Sequence, residues 1–129
     1  MQLVGQVLRS DGSFATAVIT SSQEYHTVAC FKYKRQGVDH HSYEVGRWDL
    51  IRDWYDRFVW LGIEIFWRPE RHGQGNNLSV FIKDPDDNCI EMPAELGMIF
   101  DRNTVEWVRA TRTLNNWGSA LMRSWIEIG

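Results

Sequence analysis

Histidine and glutamate residues in the middle of this sequence have the types and spacing needed to bind a metal ion. Three of the four histidines lie between residues 37 and 92, in the runs GVDHHSYEV and RPERHGQGNN, and the later run KDPDDNCIEM contains Glu91. Two imidazoles and a carboxylate on neighbouring strands can hold iron(II) on one face, which leaves coordination positions open for substrate and O₂. A lone histidine or glutamate on a strand is more often structural, so the chemistry requires several of these residues to meet.

The alternation of side chains along a strand selects His40 over His41. In the predicted strand 38–45, His41 shares a face with the apolar Val45, whereas His40 faces the opposite side. If Val45 packs on a helix, His40 points to the polar side of the sheet. Glu91 lies on a later predicted strand, and curling of the sheet would bring it to His40. We therefore expect His40 and Glu91 to be metal ligands.

The run RPERHGQGNN, at residues 68–77, offers a cation, an imidazole and amide groups from a backbone that glycine lets approach a ligand closely. Its proline and glycines predict a loop without regular structure. A plain turn would not need so specific a set of polar side chains. We expect His72 and one of Asn76 and Asn77 to contact substrate.

The remaining pattern supplies the elements that must position these residues. Apolar residues at three- and four-residue steps predict an amphipathic helix over 47–61, and Gly62 is a natural C-cap. Alternating apolar residues and turn signals predict seven strands, at 3–8, 14–20, 25–32, 38–45, 63–67, 78–83 and 88–92. The order from 38 to 92 is β-α-β-β-β. One face of this α+β unit takes the helix, and the other curls around a space lined by His40, Ser79, Phe81 and Glu91.

Composition narrows the class of protein. A chain of 129 residues with 43% hydrophobic and 24% charged residues is expected to form one domain, 1–129. The net charge of −3 and the scattered Lys and Arg argue against a nucleic-acid partner. No signal peptide or membrane-spanning run is recognisable. Two cysteines without CxxC spacing indicate neither a zinc knuckle nor a disulfide framework, so a cytoplasmic location is the default.

These motifs together carry a family resemblance. GVDHHSYEV, the helix, and GIEIFWRPERHGQGNNLSVFIKDPDDNCIEM resemble the last module of type I extradiol ring-cleaving dioxygenases, over about residues 14–92. That family belongs to the vicinal oxygen chelate superfamily, with glyoxalase I and the bleomycin-resistance proteins. The resemblance implies a partial first module at 1–37, a full βαβββ module at 38–92 with a curled mixed sheet, and a C-terminal extension at 93–129.

The resemblance also implies roles for individual residues. His40 matches the second metal-ligating histidine of the family, and Glu91 matches its carboxylate ligand. His26 matches the histidine that acts as acid and base toward substrate and oxygen. His72 matches a histidine that hydrogen-bonds the substrate region. The metal would be Fe(II), or occasionally Mn(II), and the reaction would insert O₂ into a catechol next to its hydroxyls.

Three departures from the family pattern bear on activity. The family's first metal-ligating histidine lies on the opening strand of the preceding module, and the only nearby candidate position here is Gln6. Phe81, which we expect to contact substrate, stands where the family has a pocket tyrosine, and Asp87 replaces a turn glycine. The third ligand could come from a shifted His26, from a second subunit of a homodimer, or from a separately encoded partner.

Three functions follow as hypotheses. The first is an Fe(II)-dependent extradiol dioxygenase that cleaves a small aromatic diol such as 2,3-dihydroxybiphenyl. The second is a truncated, non-catalytic relative that binds an aromatic ligand, or that completes its site only with a partner subunit. The third is a different chemistry of the superfamily with another divalent metal.

Overall fold

The computed structural model describes residues 1–100, 103–108, 110, 113 and 115–117. One helix and eight strands follow one another in these residues, namely β1 (Gln2–Leu8), β2 (Phe14–Thr20), β3 (Val28–Phe31), β4 (His40–Ser42), α1 (Trp48–Trp60), β5 (Ile65–Arg71), β6 (Leu78–Lys83), β7 (Cys89–Ala94) and β8 (Val105–Val108). The predicted α+β class is confirmed. The predicted C-terminal extension lies partly outside the described residues, which include none beyond residue 117.

The strands form two four-stranded mixed sheets. The first has the order β3-β2-β1-β8 and the second has the order β4-β7-β6-β5. In the second sheet β4 runs parallel to β7, while β6 pairs antiparallel with both β5 and β7. Together with α1, this sheet is the predicted β-α-β-β-β unit. In the first sheet β1, β2 and β3 form an antiparallel meander, and β8 joins parallel to β1.

Helix α1 packs on one face of the second sheet. Ile51 and Phe58 of the helix are buried against Leu78, Val80 and Ile82, which are alternate residues of β6. Burial of each such side chain stabilises the fold by roughly 1.5–3 kcal/mol. Because successive residues of a strand point to opposite faces, the helix contact turns the intervening residues of β6 toward the other side of the sheet.

The prediction of a loop over residues 68–77 is wrong in its first half. Strand β5 continues to Arg71, and its pairing with β6 passes through a bulge between Trp67 and Glu70. Proline cannot donate a hydrogen bond to the ladder and is confined to strand edges and bulges. Pro69 lies in this bulge, so the strand absorbs the proline instead of ending at it.

Other boundaries differ from the prediction by a few residues. The predicted strands 25–32 and 38–45 are shorter, at Val28–Phe31 and His40–Ser42. His26 therefore lies in the segment before β3 rather than on a strand. The weakly patterned region after residue 93 contributes β8, whose parallel partner β1 is distant in sequence and could not be read from local pattern.

Backbone hydrogen bonds between loops join the two sheets near the candidate residues. The amide of Tyr25 donates to the carbonyl of Gly97 at 2.8 Å, and the amide of Gly97 donates to the carbonyl of Gly75 at 2.7 Å. This chain of contacts places His26, the neighbour of Tyr25, beside the loop that follows β5. Among the described residues, no helix is long and apolar enough to span a bilayer.

Candidate metal and substrate site

The carboxylate of Glu91, on β7, is the centre of the candidate site. Its side chain is only 6% exposed. The hydroxyl of Ser42 donates a hydrogen bond of 2.6 Å to Oε2, and Nδ2 of Asn77 donates one of 3.4 Å to Oε1. Glu91 is buried and hydrogen-bonded in its charged form, as a carboxylate ligand of a metal must be.

His40 approaches this carboxylate from β4. Nε2 of His40 lies 3.4 Å from Oε2 of Glu91, and Nδ1 lies 2.6 Å from Oδ2 of Asp39. The parallel register pairs His40 with Cys89 and Ser42 with Glu91, which sets His40 and Glu91 side by side. Burial lowers the pKa of His40, but hydrogen bonds to Asp39 and Glu91 outweigh burial and raise it to about 9.

His72 approaches Glu91 from the other side. Nε2 of His72 lies 3.3 Å from Oε1 of Glu91 and 3.1 Å from Oγ of Ser79. Its other ring nitrogen, Nδ1, lies 3.6 Å from Oε1 of Glu70. Burial opposes the charge on Glu91, but hydrogen bonds from His40 and His72 outweigh it and hold the pKa of Glu91 well below the usual range.

Phe81 packs between the two histidines. Its ring meets the edge of His40 at a centroid distance of 5.2 Å and that of His72 at 6.2 Å. Trp67 tilts against its remaining side at 5.6 Å. Phe81 is 1% exposed. It therefore fixes both imidazoles through packing and supplies no polar group.

His26 and Glu91 line the same cavity. The cavity measures about 1410 Å³ and has both sheets in its walls, which include His26, His40, Asn77 and Glu91. Burial lowers the pKa of His26, although the charge of Glu91 acts in the opposite direction. Nδ1 of His26 is buried and finds no hydrogen-bond partner among the described residues. A buried polar atom of this kind indicates a ligand or ordered water at the site.

The two predicted substrate residues of the loop differ in position. Asn76 is exposed and has a left-handed backbone with φ of 54°, and its carbonyl accepts a hydrogen bond from Arg71. Asn77 is 1% exposed, and its Oδ1 has no hydrogen-bond partner among the described residues. Of the two, only Asn77 lines the cavity. Asn77 therefore faces the site, whereas Asn76 shapes the loop.

The donor atoms around Glu91 fit part of a divalent metal site. Imidazole nitrogen and carboxylate oxygen suit Fe(II) and Mn(II), and the contact of His40 with Asp39 is the outer-shell arrangement usual for metal-ligating histidine. The described part of the chain contains no group of three or more histidine, cysteine, aspartate or glutamate side chains placed to hold an ion. His40 and Glu91 thus offer two donor groups, and the described residues do not complete a set of three.

Sequence reasoning missed two carboxylates. Asp39 precedes His40 directly, and an acidic neighbour of a candidate ligand is a signal that could have been used. Glu70 is fully buried beside His72. Its spacing of two residues from His72 would place both on one face of a strand, but the prediction of a loop over 68–77 removed that argument.

Comparison with known protein families identifies the family of this chain. The sequence profile of the Glyoxalase/Bleomycin resistance protein/Dioxygenase superfamily matches residues 8–92. A search of curated protein sequences gave no significant match.

Solved structures of similar fold include two dioxygenases and a glyoxalase. A variant of homoprotocatechuate 2,3-dioxygenase from B. fuscum is 21% identical with a TM-score of 0.87, over 96% of this chain and 36% of that one. The homoprotocatechuate 2,3-dioxygenase of Arthrobacter globiformis is 23% identical with a TM-score of 0.83, over 93% and 39%. A Mn(II)-bound glyoxalase from Novosphingobium aromaticivorans is 21% identical with a TM-score of 0.81, over 91% and 38%.

The chain therefore spans less than two fifths of the length of each of these three structures. At these identities the likeness concerns the fold, which agrees with the two mixed sheets described above. The profile match extends from the end of β1 into β7 and covers Glu91 and all the histidines. On that match, the chain belongs to the Glyoxalase/Bleomycin resistance protein/Dioxygenase superfamily.

Proposed function

We propose that this chain carries part of the catalytic site of an extradiol dioxygenase, which uses a divalent metal and O₂ to cleave a catechol such as 2,3-dihydroxybiphenyl. The observation that carries the proposal is the approach of His40 and His72 to the two oxygens of Glu91, at 3.4 and 3.3 Å. Both atoms of O₂ enter the product, and the ring bond next to the two hydroxyls breaks. The catechol is oxidised as O₂ is reduced.

His40 and Glu91 would hold the metal. The metal, Fe(II) or Mn(II), would bring the catechol and O₂ together and act as a Lewis acid toward both. Asp39 orients the ring of His40 through Nδ1, which leaves Nε2 facing the carboxylate. Ser42 holds Oε2 of Glu91 by a short hydrogen bond, so both ligands are fixed before any ion arrives.

His26 would move protons. Its lowered pKa favours the neutral imidazole at neutral pH, which can accept a proton from a catechol hydroxyl. The same group can return the proton to a developing negative charge on oxygen. Its place in the wall of the cavity that Glu91 also lines suits contact with a substrate bound there.

Asn77 and His72 would orient the substrate region. Asn77 already donates to Oε1 of Glu91, and its free Oδ1 can accept a hydrogen bond from a bound hydroxyl. His72 contacts the same carboxylate oxygen. Asn76 is exposed, so we assign it to the shape of the loop and not to substrate contact.

A non-catalytic aromatic-binding protein is the second candidate function. The specific observation in its favour is Phe81, which places an apolar ring against both His40 and His72 where a hydroxyl would assist oxygen chemistry. In that case the cavity would bind an aromatic diol without cleaving it. Retention of the metal and turnover of a catechol would support the dioxygenase, and binding of the diol without turnover would support the second function.

The third metal ligand is the open part of the proposal. It would come from a second copy of the chain in a homodimer, from a partner polypeptide, or from an inward shift of His26. The four-residue strand β3 is the end strand of its sheet, which is where another strand could pair. Comparing retained iron and mass in solution across protein concentrations tests the first source, because a shared site fills only in the dimer.

The experiment that tests the function is anaerobic loading with Fe(II) or Mn(II) followed by addition of a catechol and air. The catechols would include 2,3-dihydroxybiphenyl and homoprotocatechuate, and formation of the yellow ring-fission product would be followed by absorbance. A His41→Gln variant is the matched control, because His41 is exposed and outside the proposed ligand set. Absence of colour combined with absence of stoichiometric metal would overturn the enzyme proposal.

A further inference from the structure

The bulge in β5 changes which side chains face the candidate site. Trp67 pairs with Phe81, and Glu70 pairs with Ser79, so a step of three residues along β5 matches a step of two residues along β6. In a regular strand, Trp67 and Glu70 would point to opposite faces of the sheet. The extra residue puts them on the same face, because a bulge re-aims the side chains that follow it.

Glu70 is consequently a buried acid on the site face. It is fully buried, with a relative exposure of 0%. Its Oε1 lies 3.6 Å from Nδ1 of His72, which is too far for a hydrogen bond of ordinary geometry but within the distance of an ion pair with a protonated ring. His72 follows two residues later, so the same bulge directs both side chains to one side of the sheet.

The ring of His72 is held from three directions. Glu70 lies at Nδ1, Oγ of Ser79 and Oε1 of Glu91 lie at Nε2, and Phe81 packs on the ring in an edge-on arrangement. Rotation of the imidazole by half a turn would put Cδ2 in the place of Nδ1 and Cε1 in the place of Nε2, so that a carbon would face each polar partner. The negative charge of Glu70 favours the orientation in which an N–H of the ring points toward it.

We propose that Glu70 is a positioning residue for His72, which holds the imidazole with Nε2 directed at Glu91 and Ser79. Burial of a carboxylate is costly, so an acid kept in this place has to be compensated by the groups around it. A row of contacts therefore runs from Glu70 through His72 to Glu91. The kinetic part of this inference rests on the proposed function, but the orientation of the ring does not.

Nuclear magnetic resonance of the imidazole rings in the full-length, metal-free chain tests the proposal. Glu70→Gln keeps the size of the side chain and removes its carboxylate. Glu70→Asp keeps the carboxylate but places it farther from His72, because the side chain is one methylene shorter. Glu64→Gln is an exposed control in the same segment. The signals of His72 are assigned by their loss in His72→Gln. We expect the ring-nitrogen shifts of His72 to move in Glu70→Gln, to move less in Glu70→Asp, and to stay unchanged in Glu64→Gln.

Signals of His72 that coincide in Glu70→Gln and the parent would overturn the proposal. If Glu70→Gln does not fold, Glu70→Asp decides in the same way: a shift of the His72 signals supports positioning, and unchanged signals reject it. Uniform movement of the His26, His40 and His72 signals in Glu70→Asp would also reject it, since that pattern reports a general loss of packing.

Kinetics separate this inference from the function on which it is built. In an active parent enzyme, Glu70→Gln should lower kcat by on the order of tenfold to a hundredfold, as expected for a misplaced group at the reacting centre, with less effect on KM. An inactive parent whose His72 signals still respond to Glu70→Gln would reject the dioxygenase function alone. An active parent with unchanged kcat and unchanged signals in Glu70→Gln would reject the positioning role alone.

Discussion

Nε2 of His40 lies 3.4 Å from Oε2 of Glu91, and this contact joins the first strand of the β-α-β-β-β unit to its last. It exists because β4 and β7 are parallel neighbours, although α1 and two strands separate them in the chain. A shift of one residue in this register would turn His41 toward the site and His40 away from it. The metal-binding prediction therefore depends on which of the two adjacent histidines, His40 or His41, faces the site.

Replacement of His40 by glutamine should weaken metal binding, whereas the same replacement at His41 should not. Loss of one of few ligands is expected to reduce affinity for Fe(II) or Mn(II) by on the order of a hundredfold or more. Anaerobic titration with each ion measures the affinity. A His41→Gln variant that loses the metal while His40→Gln retains it would show that the strand alternation was assigned to the wrong face.

The contact of His40 with Glu91 should stabilise the metal-free chain at pH 6.5, and this stabilisation should be lost as the pH rises to 9. The pKa of His40 is raised from its ordinary value of 6.5 to about 9 in the folded state. A raised pKa contributes stability that is complete below 6.5 and is lost as pH rises through about 9, because the unfolded chain releases the proton first. Urea unfolding of the parent and of His40→Gln measures this as a difference.

That difference isolates His40 from other titrating groups. His26 has a lowered pKa, so it acts on stability below 6.5 and not in the alkaline range. Asp39 and Glu91 are the carboxylates that face His40, and the lowered pKa of Glu91 keeps its carboxylate ionised throughout this range. A difference between parent and variant that stays constant from pH 6.5 to 9 would contradict the assignment of the raised pKa to His40.

Ser42→Ala should destabilise the fold by about 1–3 kcal/mol, because it removes a donor from the buried carboxylate of Glu91. The hydrogen bond is 2.6 Å long, and Glu91 is 6% exposed. Ser10→Ala is the matched control in an exposed turn, and we expect it to change stability by less than about 0.5 kcal/mol. Equal unfolding midpoints for the two variants would mean that water replaces the lost hydroxyl at Glu91.

The sequence was sufficient where a pattern repeats locally. Alternation along β6 predicted that Leu78, Val80 and Ile82 face the helix and that Ser79 and Phe81 face the other side, and the core contacts agree with the first group. The helix and the order of elements followed from the same kind of periodicity. The class of fold was predictable for this reason.

Features that depend on irregular backbone could not be predicted in this way. The bulge at Pro69 reverses the face of every residue after it, so Glu70 was hidden within a predicted loop. The position of His26 depends on hydrogen bonds from Tyr25 to Gly97 and from Gly97 to Gly75, which join distant segments. Neither relationship produces a periodic sequence pattern. The roles of all the predicted site residues, His40 and Glu91 included, remain predictions.

Asp39→Asn should reduce metal affinity by about 10- to 100-fold while it leaves the ligands in place, which is the usual effect of removing an outer-shell carboxylate. Oδ2 of Asp39 lies 2.6 Å from Nδ1 of His40, so its charge makes the imidazole more basic and fixes the ring. Asparagine can still accept a hydrogen bond through its carbonyl, but it lacks the charge. Because the charge of Asp39 raises the pKa of His40, the same change should also lower that pKa toward 6.5. This affects metal binding, since His40 must lose its proton before it binds a metal.

Asp56→Asn, on an exposed position of α1, is the control. Titration with Mn(II) at several pH values measures both effects, and an affinity in Asp39→Asn equal to that of the control at every pH would show that Asp39 does not act through His40.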